Sequence, residues 1–252
     1  MPFYFIQKSD LTGGAVHIGM PLAHHLIDVL RYQKGDSLTL VDQDRNKYVA
    51  RIRSITARSI EGEVLSKDTP PQQQKPILHL GIALLKGDKM DWAIQKATEL
   101  GVERISPLMT RRVVAKIHNN KIAHQQKRWF EIAKEGSQQS ERLEIPKIDV
   151  PLSLDSFLKE TVLSDMKCIF WEKAPPGPLA PIIRSALSES PNNLSIIIGP
   201  EGGLEKEEVD QALEKGYIAV SLGARPVRAE TAALAAITIL QYEIGNVTAI
   251  GR

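Results

Sequence analysis

The sequence predicts an α/β protein in two domains: a small β-barrel-like domain first, then a larger α/β domain built on a mostly parallel sheet. Three observations predict it. Short segments before residue 67 alternate apolar and polar residues; after residue 77 continuous apolar runs alternate with helical periodicity; and the polar, proline-rich stretch Asp68-Thr-Pro-Pro-Gln-Gln-Gln-Lys-Pro76 lies between the two regimes. Such a stretch has no side chains with which to pack a core. The domains are therefore set at 1–70 and 75–252.

In the first domain, Ser37–Val41, Lys47–Ile52 and Ser59–Leu65 alternate with period two, as half-buried strands do. The clusters Lys34-Gly-Asp36 and Gln43-Asp-Arg-Asn46 supply turns between them, and Pro21 to Leu30 has an early proline and the apolar spacing of a short helix. In the second domain, Ile77–Leu85, Lys167–Trp171, Leu194–Ile198 and Ile218–Leu222 read as buried strands. Four helices lie between or after them. Asp88 to Leu100 places Met90, Ala93, Ile94, Ala97 and Leu100 on one face, with Asp88 as N-cap and Gly101 as stop. Asn119 to Ser137, Glu205 to Lys215 (closed by Gly216) and Thr231 to Tyr242 are the other three.

A chain of 252 residues with 42% hydrophobic and 25% charged content can bury a sizeable core and is not disordered in composition. Its apolar runs fall short of the roughly 20 residues that span a bilayer, and Met1 to Ile6 lacks the basic and apolar regions of a secretory signal. A cytoplasmic protein without a membrane partner is expected. The single cysteine, Cys168, excludes an internal disulfide and a multi-thiolate metal site, and the six histidines show no metal-ligand spacing, so no metal is expected. Net charge is only +2, but Arg111 to Arg142 holds eight Lys or Arg against three acids, a local +5. That run suits a solvated helix face or a polyanion partner equally.

No G-x-x-x-x-G-K-[ST], G-x-G-x-x-G or G-x-S-x-G is present, which disfavours P-loop enzymes, ordinary dinucleotide or Rossmann-type methyltransferase loops and serine hydrolases. The strand Leu194–Ile198 instead runs into Gly199-Pro-Glu-Gly-Gly203. A second strand, Ile218–Leu222, ends in Gly223 and the charged loop Ala224-Arg-Pro-Val-Arg-Ala-Glu230 before an almost wholly apolar helix. Glycines let a ligand approach backbone amides, and ligands of open α/β sheets bind beyond the carboxyl ends of strands. Two such loops define a pocket.

Ile198-Gly-Pro-Glu-Gly-Gly203 together with Leu222-Gly-x-Arg-x-x-Arg-x-Glu-Thr-Ala232 resembles the signature of the RsmE family, methyltransferases for N3 of a uridine in 16S ribosomal RNA. Lys86-Gly-Asp-Lys-Met-Asp-Trp to Val102, Arg128-Trp-x-x-Ile-Ala133, Gln139-Ser140 with Arg142, and His25-Leu-x-x-Val-Leu-Arg31 with Gly35-Asp36 agree in the same order, so the resemblance covers nearly the whole chain. It implies a PUA-like RNA-binding barrel, a SPOUT-like C-terminal domain threaded as a trefoil knot, S-adenosylmethionine as cofactor and a homodimer acting on 16S rRNA within the small ribosomal subunit. The cofactor residues it implies are Ile198, Gly199, Glu201, Gly202, Gly203, Leu222, Gly223, Arg228 and Thr231; those for RNA are Arg31, Arg111, Arg112, Lys116 and Arg142. Two departures stand out. Pro226-Val227 occupies the place between the two arginines where the family usually carries Ile or Val with Leu, and Asp42-Gln43 stands where it often has Asp-Gly.

Arg228 and Glu230 are the catalytic candidates. Arginine stays protonated, so Arg228 can stabilise an anionic uracil but not remove its proton. Glu230 and Glu201 are the acids of the two loops, and capping or loop anchoring fits them as well as proton transfer does. The general base stays open. Two further readings are a knotted methyltransferase acting on another rRNA or a tRNA position, and a non-catalytic RNA-binding ribosome-assembly factor.

Overall fold

A computed structural model describes residues 3–69, 76–114, 119–175, 181, 183, 184 and 191–244. The chain forms two compact units, residues 1–73 with 137–144, and residues 74–136 with 145–252.

The first unit is built on a six-stranded sheet in the order β1-β4-β5-β6-β3-β2, with β1 Phe3–Phe5, β2 Leu11–Thr12, β3 Ala15–Ile18, β4 Ser37–Val41, β5 Lys47–Ile55 and β6 Ile60–Asp68. The three strands read from alternation are β4, β5 and β6. They bury Leu38, Leu40, Ala50, Ile52 and Ile60 around one apolar core with Val16, Ile18 and Leu26. Register shifts at Val49/Ala50 and Ile52/Ser54 bulge β5 against β6, and bulges are how a sheet curves. The short helix after Pro21 exists as α1, Leu22–His24, but runs on as a π-helical turn over His25–Val29. Asp42 is buried where the turn between β4 and β5 begins, and its carboxylate accepts hydrogen bonds from Asn46 N–H and Tyr48 Oη, each at 2.9 Å. The left-handed residue of that turn is Arg45 (φ 66°), not Gln43. Absence of glycine at 43 therefore costs the backbone nothing.

The second unit carries a parallel sheet in the order β10-β8-β7-β12-β11-β13, with β9 beside β8. Its strands are β7 Ile77–Ala83, β8 Arg104–Met109, β9 Lys147–Ile148, β10 Leu152–Ser153, β11 Met166–Phe170, β12 Asn193–Ile198 and β13 Ile218–Val220. Alternate residues of β11, β12 and β13 enter two different cores. Leu194, Ile196 and Ile198 pack with the side chains of α2 (Lys89–Glu99), α3 (Ile122–Gln139) and α6 (Ala229–Glu243), while Ile197, Ile169 and Leu108 pack with those of α4 (Leu154–Glu160) and α5 (Lys206–Glu214). Burial on both faces explains why these strands read as continuous apolar runs.

Two boundaries differ from the periodicity. Asp88 holds the N-cap position of α2 without a side-chain cap hydrogen bond. Helix α6 starts at Ala229 rather than Thr231, with Arg228 as its N-cap, so Glu230 and Thr231 lie in its first turn instead of ahead of it. The strands β8, β9 and β10 and helix α4 are short or weakly periodic and gave no sequence signal. The stretch 70–75, where the domain boundary is expected, lies outside the described residues.

Candidate cofactor pocket

Strands β12 and β13 flank β11 and end on the same side of the parallel sheet, which brings the loops that follow them together. Between them lies a cavity of about 850 Å³. Ile198, Gly199, Glu201, Gly202 and Gly203 line it from the first loop, and Leu222, Gly223, Pro226 and Arg228 from the second. Of the residues expected at a cofactor, Thr231 alone is not in the lining; it is exposed on the first turn of α6. Four lining residues outside the two loops were not among the expected site residues: Lys89, Phe170, Trp171 and Glu172. They come from α2 and from the end of β11, which sit at the pocket only through the order of the strands.

The first loop is held tightly. A side chain at Gly199 would start 2.8 Å from Leu204 Cγ, and Gly203 adopts φ 73° with its missing Cβ position 2.9 Å from Glu172 Oε1. Both need glycine for space or backbone conformation. Gly202 packs against Arg112, whose Nη1 donates to the Gly202 carbonyl at 3.1 Å. Glu201 reaches out of the loop to the start of α2, accepting from the Lys86 N–H at 3.2 Å and from Lys89 Nζ at 3.4 Å. Burial raises the Glu201 carboxyl, but hydrogen bonds from backbone N–H groups and from Lys89 together outweigh it and hold it below the usual carboxylate range. Glu201 is therefore a charged anchor.

The second loop is more exposed. Gly223 has φ 116°, and Arg228, exposed at the N-cap of α6, projects into the cavity lining. Glu230 Oε1 lies 3.8 Å from Lys89 Nζ, while Glu230 Oε2 is shut from solvent without a hydrogen-bond partner. Trp171 Nε1, at the end of β11, is also buried and unpartnered. Of the two, Trp171 lines the cavity and Glu230 lies behind it, and an unsatisfied polar atom at a cavity wall is where a ligand or water completes a site.

The basic run is divided among different surroundings. Arg111 donates from its N–H to Glu208 at 2.8 Å and from Nη1 to Glu205 at 3.0 Å, with Glu207 at 3.6 Å. Arg112 lies 3.6 Å from Glu205, and Arg128 pairs with Asp91 at 2.6 Å. Much of the local +5 is thus answered by acids distant in sequence. Arg31 is exposed in the first unit with φ 57°, Arg142 belongs to that unit through the segment 137–144, and Lys116 lies outside the described residues. Among the described residues no group of three His, Cys, Asp or Glu could hold a metal ion, and no helix is long and apolar enough to cross a membrane.

Comparison with known proteins places this pocket in context. Residues 72–241 match the family described as RNA methyltransferase domain, and residues 21–65 match the RNA methyltransferase PUA domain. The chain is 32% identical to ribosomal RNA small subunit methyltransferase E of Bacillus subtilis over 225 residues, 87% of each chain. It is 30% identical to the protein of that name from Buchnera aphidicola of Schizaphis graminum, covering 97% of this chain and 96% of the relative. Among solved structures, ribosomal RNA small subunit methyltransferase E of Neisseria gonorrhoeae, bound to S-adenosyl methionine, superposes with a TM-score of 0.82 at 29% identity over 96% of this chain and 97% of that one. A Legionella pneumophila protein in complex with the bound cofactor SAM gives 0.81 at 29% identity, over 96% and 98%.

Proposed function

We propose the reaction of this chain from the family to which it belongs, that of ribosomal RNA small subunit methyltransferase E: it is an S-adenosylmethionine-dependent rRNA methyltransferase, and its acceptor is N3 of one uridine in 16S rRNA. The observation that carries the reading is the glycine-walled cavity of about 850 Å³ with Arg228 in its lining. The residues fit the cofactor. Gly199, Gly202, Gly203, Leu222 and Gly223 let its adenosine and methionine parts lie against backbone beside Ile198, and the buried donor Trp171 Nε1 lacks a partner at the same wall; Thr231, outside the lining, is the one expected cofactor residue this fit does not use.

When bound, S-adenosylmethionine supplies an electrophilic methyl group on a sulfonium. The chain's own part is to hold the acceptor in line with it, since orientation accounts for much of such acceleration. Uridine N3 becomes nucleophilic on losing its proton, and Arg228, charged and exposed at the pocket rim, stabilises the resulting anion beside the uracil carbonyl oxygens. Glu230, the second catalytic candidate, faces Lys89 with one oxygen and is closed to solvent at the other, an arrangement that favours holding the loop over moving a proton. Arg31, Arg111, Arg112, Lys116 and Arg142 are the phosphate contacts of this reading, with the target base splayed from its strand into the pocket. The barrel at 1–70, the threading of 75–252 as a trefoil knot, the homodimer, the small-subunit substrate and the cytoplasmic setting complete it, each supported by the family alone.

Nucleosides from 16S rRNA of a strain lacking the gene, analysed by mass spectrometry, test the reading. Expected is loss of 3-methyluridine, restored by the wild-type gene and not by R228A, whose purified protein still binds S-adenosylmethionine within about tenfold of wild type. Unchanged 3-methyluridine in the deletion strain would defeat the assignment, and full restoration by R228A would remove Arg228 from the chemistry.

A further inference from the structure

Lys89 occupies the first residue of α2, where the helix dipole disfavours a cation. A local rule broken at a pocket wall points to a compensating role. Its ammonium lies 3.4 Å from Glu201 Oε1 on the first glycine loop and 3.8 Å from Glu230 Oε1 on the first turn of α6, which carries the second loop. Among the described residues it is the one cation that pairs both with Glu201 of the first loop and with Glu230, which lies behind the second. The two attachments are unequal: Glu201 has backbone N–H donors besides, whereas Glu230 has its other oxygen buried and unpartnered. Besides the dipole at the start of α6, Lys89 is the one side-chain cation paired with Glu230 among the described residues, and leaving a largely buried carboxylate without its cation is costly.

We propose that Lys89 is a positioning residue that couples the two walls of the cofactor pocket, holding Glu201 and Glu230 at once and so fixing where Arg228, two residues before Glu230, stands over the cavity. Lys89 itself moves no proton and touches no reacting atom. It acts through the spacing of the loops. The inference rests on the methyltransferase reading and goes beyond it by naming the residue that registers one loop against the other.

Four variants of the full chain test it: K89M, K89R, E230Q and the double variant K89M/E230Q. Calorimetry with S-adenosylmethionine and steady-state methylation of 16S rRNA are read beside the thermal midpoint. In K89M, affinity for S-adenosylmethionine is expected to fall at least tenfold and kcat at least tenfold, with the midpoint shifted by only a few degrees. K89R is expected to recover both to within about threefold, which a merely structural lysine stem would not require. Removing the stranded charge in K89M/E230Q is expected to restore at least part of the lost affinity, a non-additivity that marks direct coupling. K89M within twofold of wild type in affinity and kcat overturns the proposal while leaving the methyltransferase reading intact, as does a double variant whose losses simply add. Wild-type protein that binds no S-adenosylmethionine overturns both.

Discussion

At the residue scale, the strongest electrostatic constraint lies away from the pocket. His79 is buried on β7; its Nε2 lies 2.7 Å from Ser106 Oγ, which donates in turn to Asp149 at 2.5 Å, and Arg104 Nε donates to the same carboxylate at 2.7 Å. Burial first, and then the positive charge of Arg104, push the imidazole down from 6.5 to about 3, with Asp149 opposing them only in part. The sign follows. Between pH 6.5 and about 3 the unfolded chain binds a proton at this histidine that the folded chain does not, so stability falls as the solution is acidified through that window, by at most about 1.4 kcal/mol per pH unit. Urea melts across that range should give H79Q a shallower loss on acidification than wild type; parallel curves would show that His79 is not the linked group. Nothing in the sequence marked it. His79 stands in an apolar run, and its role is set by Ser106 and Asp149, which are 27 and 70 positions further along.

At the scale of elements, the pocket is made by strand ends, and its rigidity comes from how loops are seated on neighbouring elements. The first loop is pinned by Leu204 beneath Gly199, by Arg112 on Gly202 and by Glu201 on the start of α2. In G199A the new methyl group would meet the almost fully buried Leu204 at 2.8 Å, so the side chain must shift within a packed core. We expect about 1–3 kcal/mol of destabilisation in denaturant melts, the range of an overpacked site, with weaker S-adenosylmethionine binding; a variant as stable as wild type would mean that the loop relaxes freely. The glycines were legible because backbone conformation and close approach restrict residue type. The exact start of α6 was not. Thr231 looked like the first helical residue from its apolar neighbours, yet Arg228 in extended conformation (φ −66°, ψ 154°) lets the helix begin at Ala229 and carries Glu230 into the first turn. At its other end α6 is tied to α2 by Gln241, whose Nε2 donates to the Leu100 carbonyl at 2.9 Å beside Gly101, a residue with φ 87°.

At the scale of the whole molecule, charge and chain course are redistributed relative to the sequence. The basic run from Arg111 to Arg142 is split, with residues 137–144 belonging to the first unit and the remainder to the second. Arg111 and Arg112 are offset by Glu205 and Glu207 of the α5 region, so their net field is weaker than their positions in the sequence suggest. Binding of a single-stranded 16S rRNA fragment, followed by fluorescence anisotropy over a salt series, separates the contributions. Removing a full phosphate contact should lower the slope of log K against log salt by about 0.7. We expect R31A to approach that change and R111A to fall well short of it. Equal slopes for the two variants would show that the acids around Arg111 do not screen it.

By itself the sequence determined the α/β class, the strands that are buried on both faces, the two glycine loops at their ends and the family whose signature those loops carry. Each of these is written in residue types that are neighbours in the chain: periodicity, turn chemistry and glycines that no other residue can replace. Only the tertiary structure decided which strand ends stand side by side, that Lys89 lies between Glu201 and Glu230, and that the basic run is answered by acids of another element. Lys89 and Glu201 are 112 positions apart and Arg111 and Glu205 are 94 apart. Pairings at that range are set by the order of strands in a parallel sheet, where every crossover through a helix brings distant residues to one edge, and local pattern holds no record of that order.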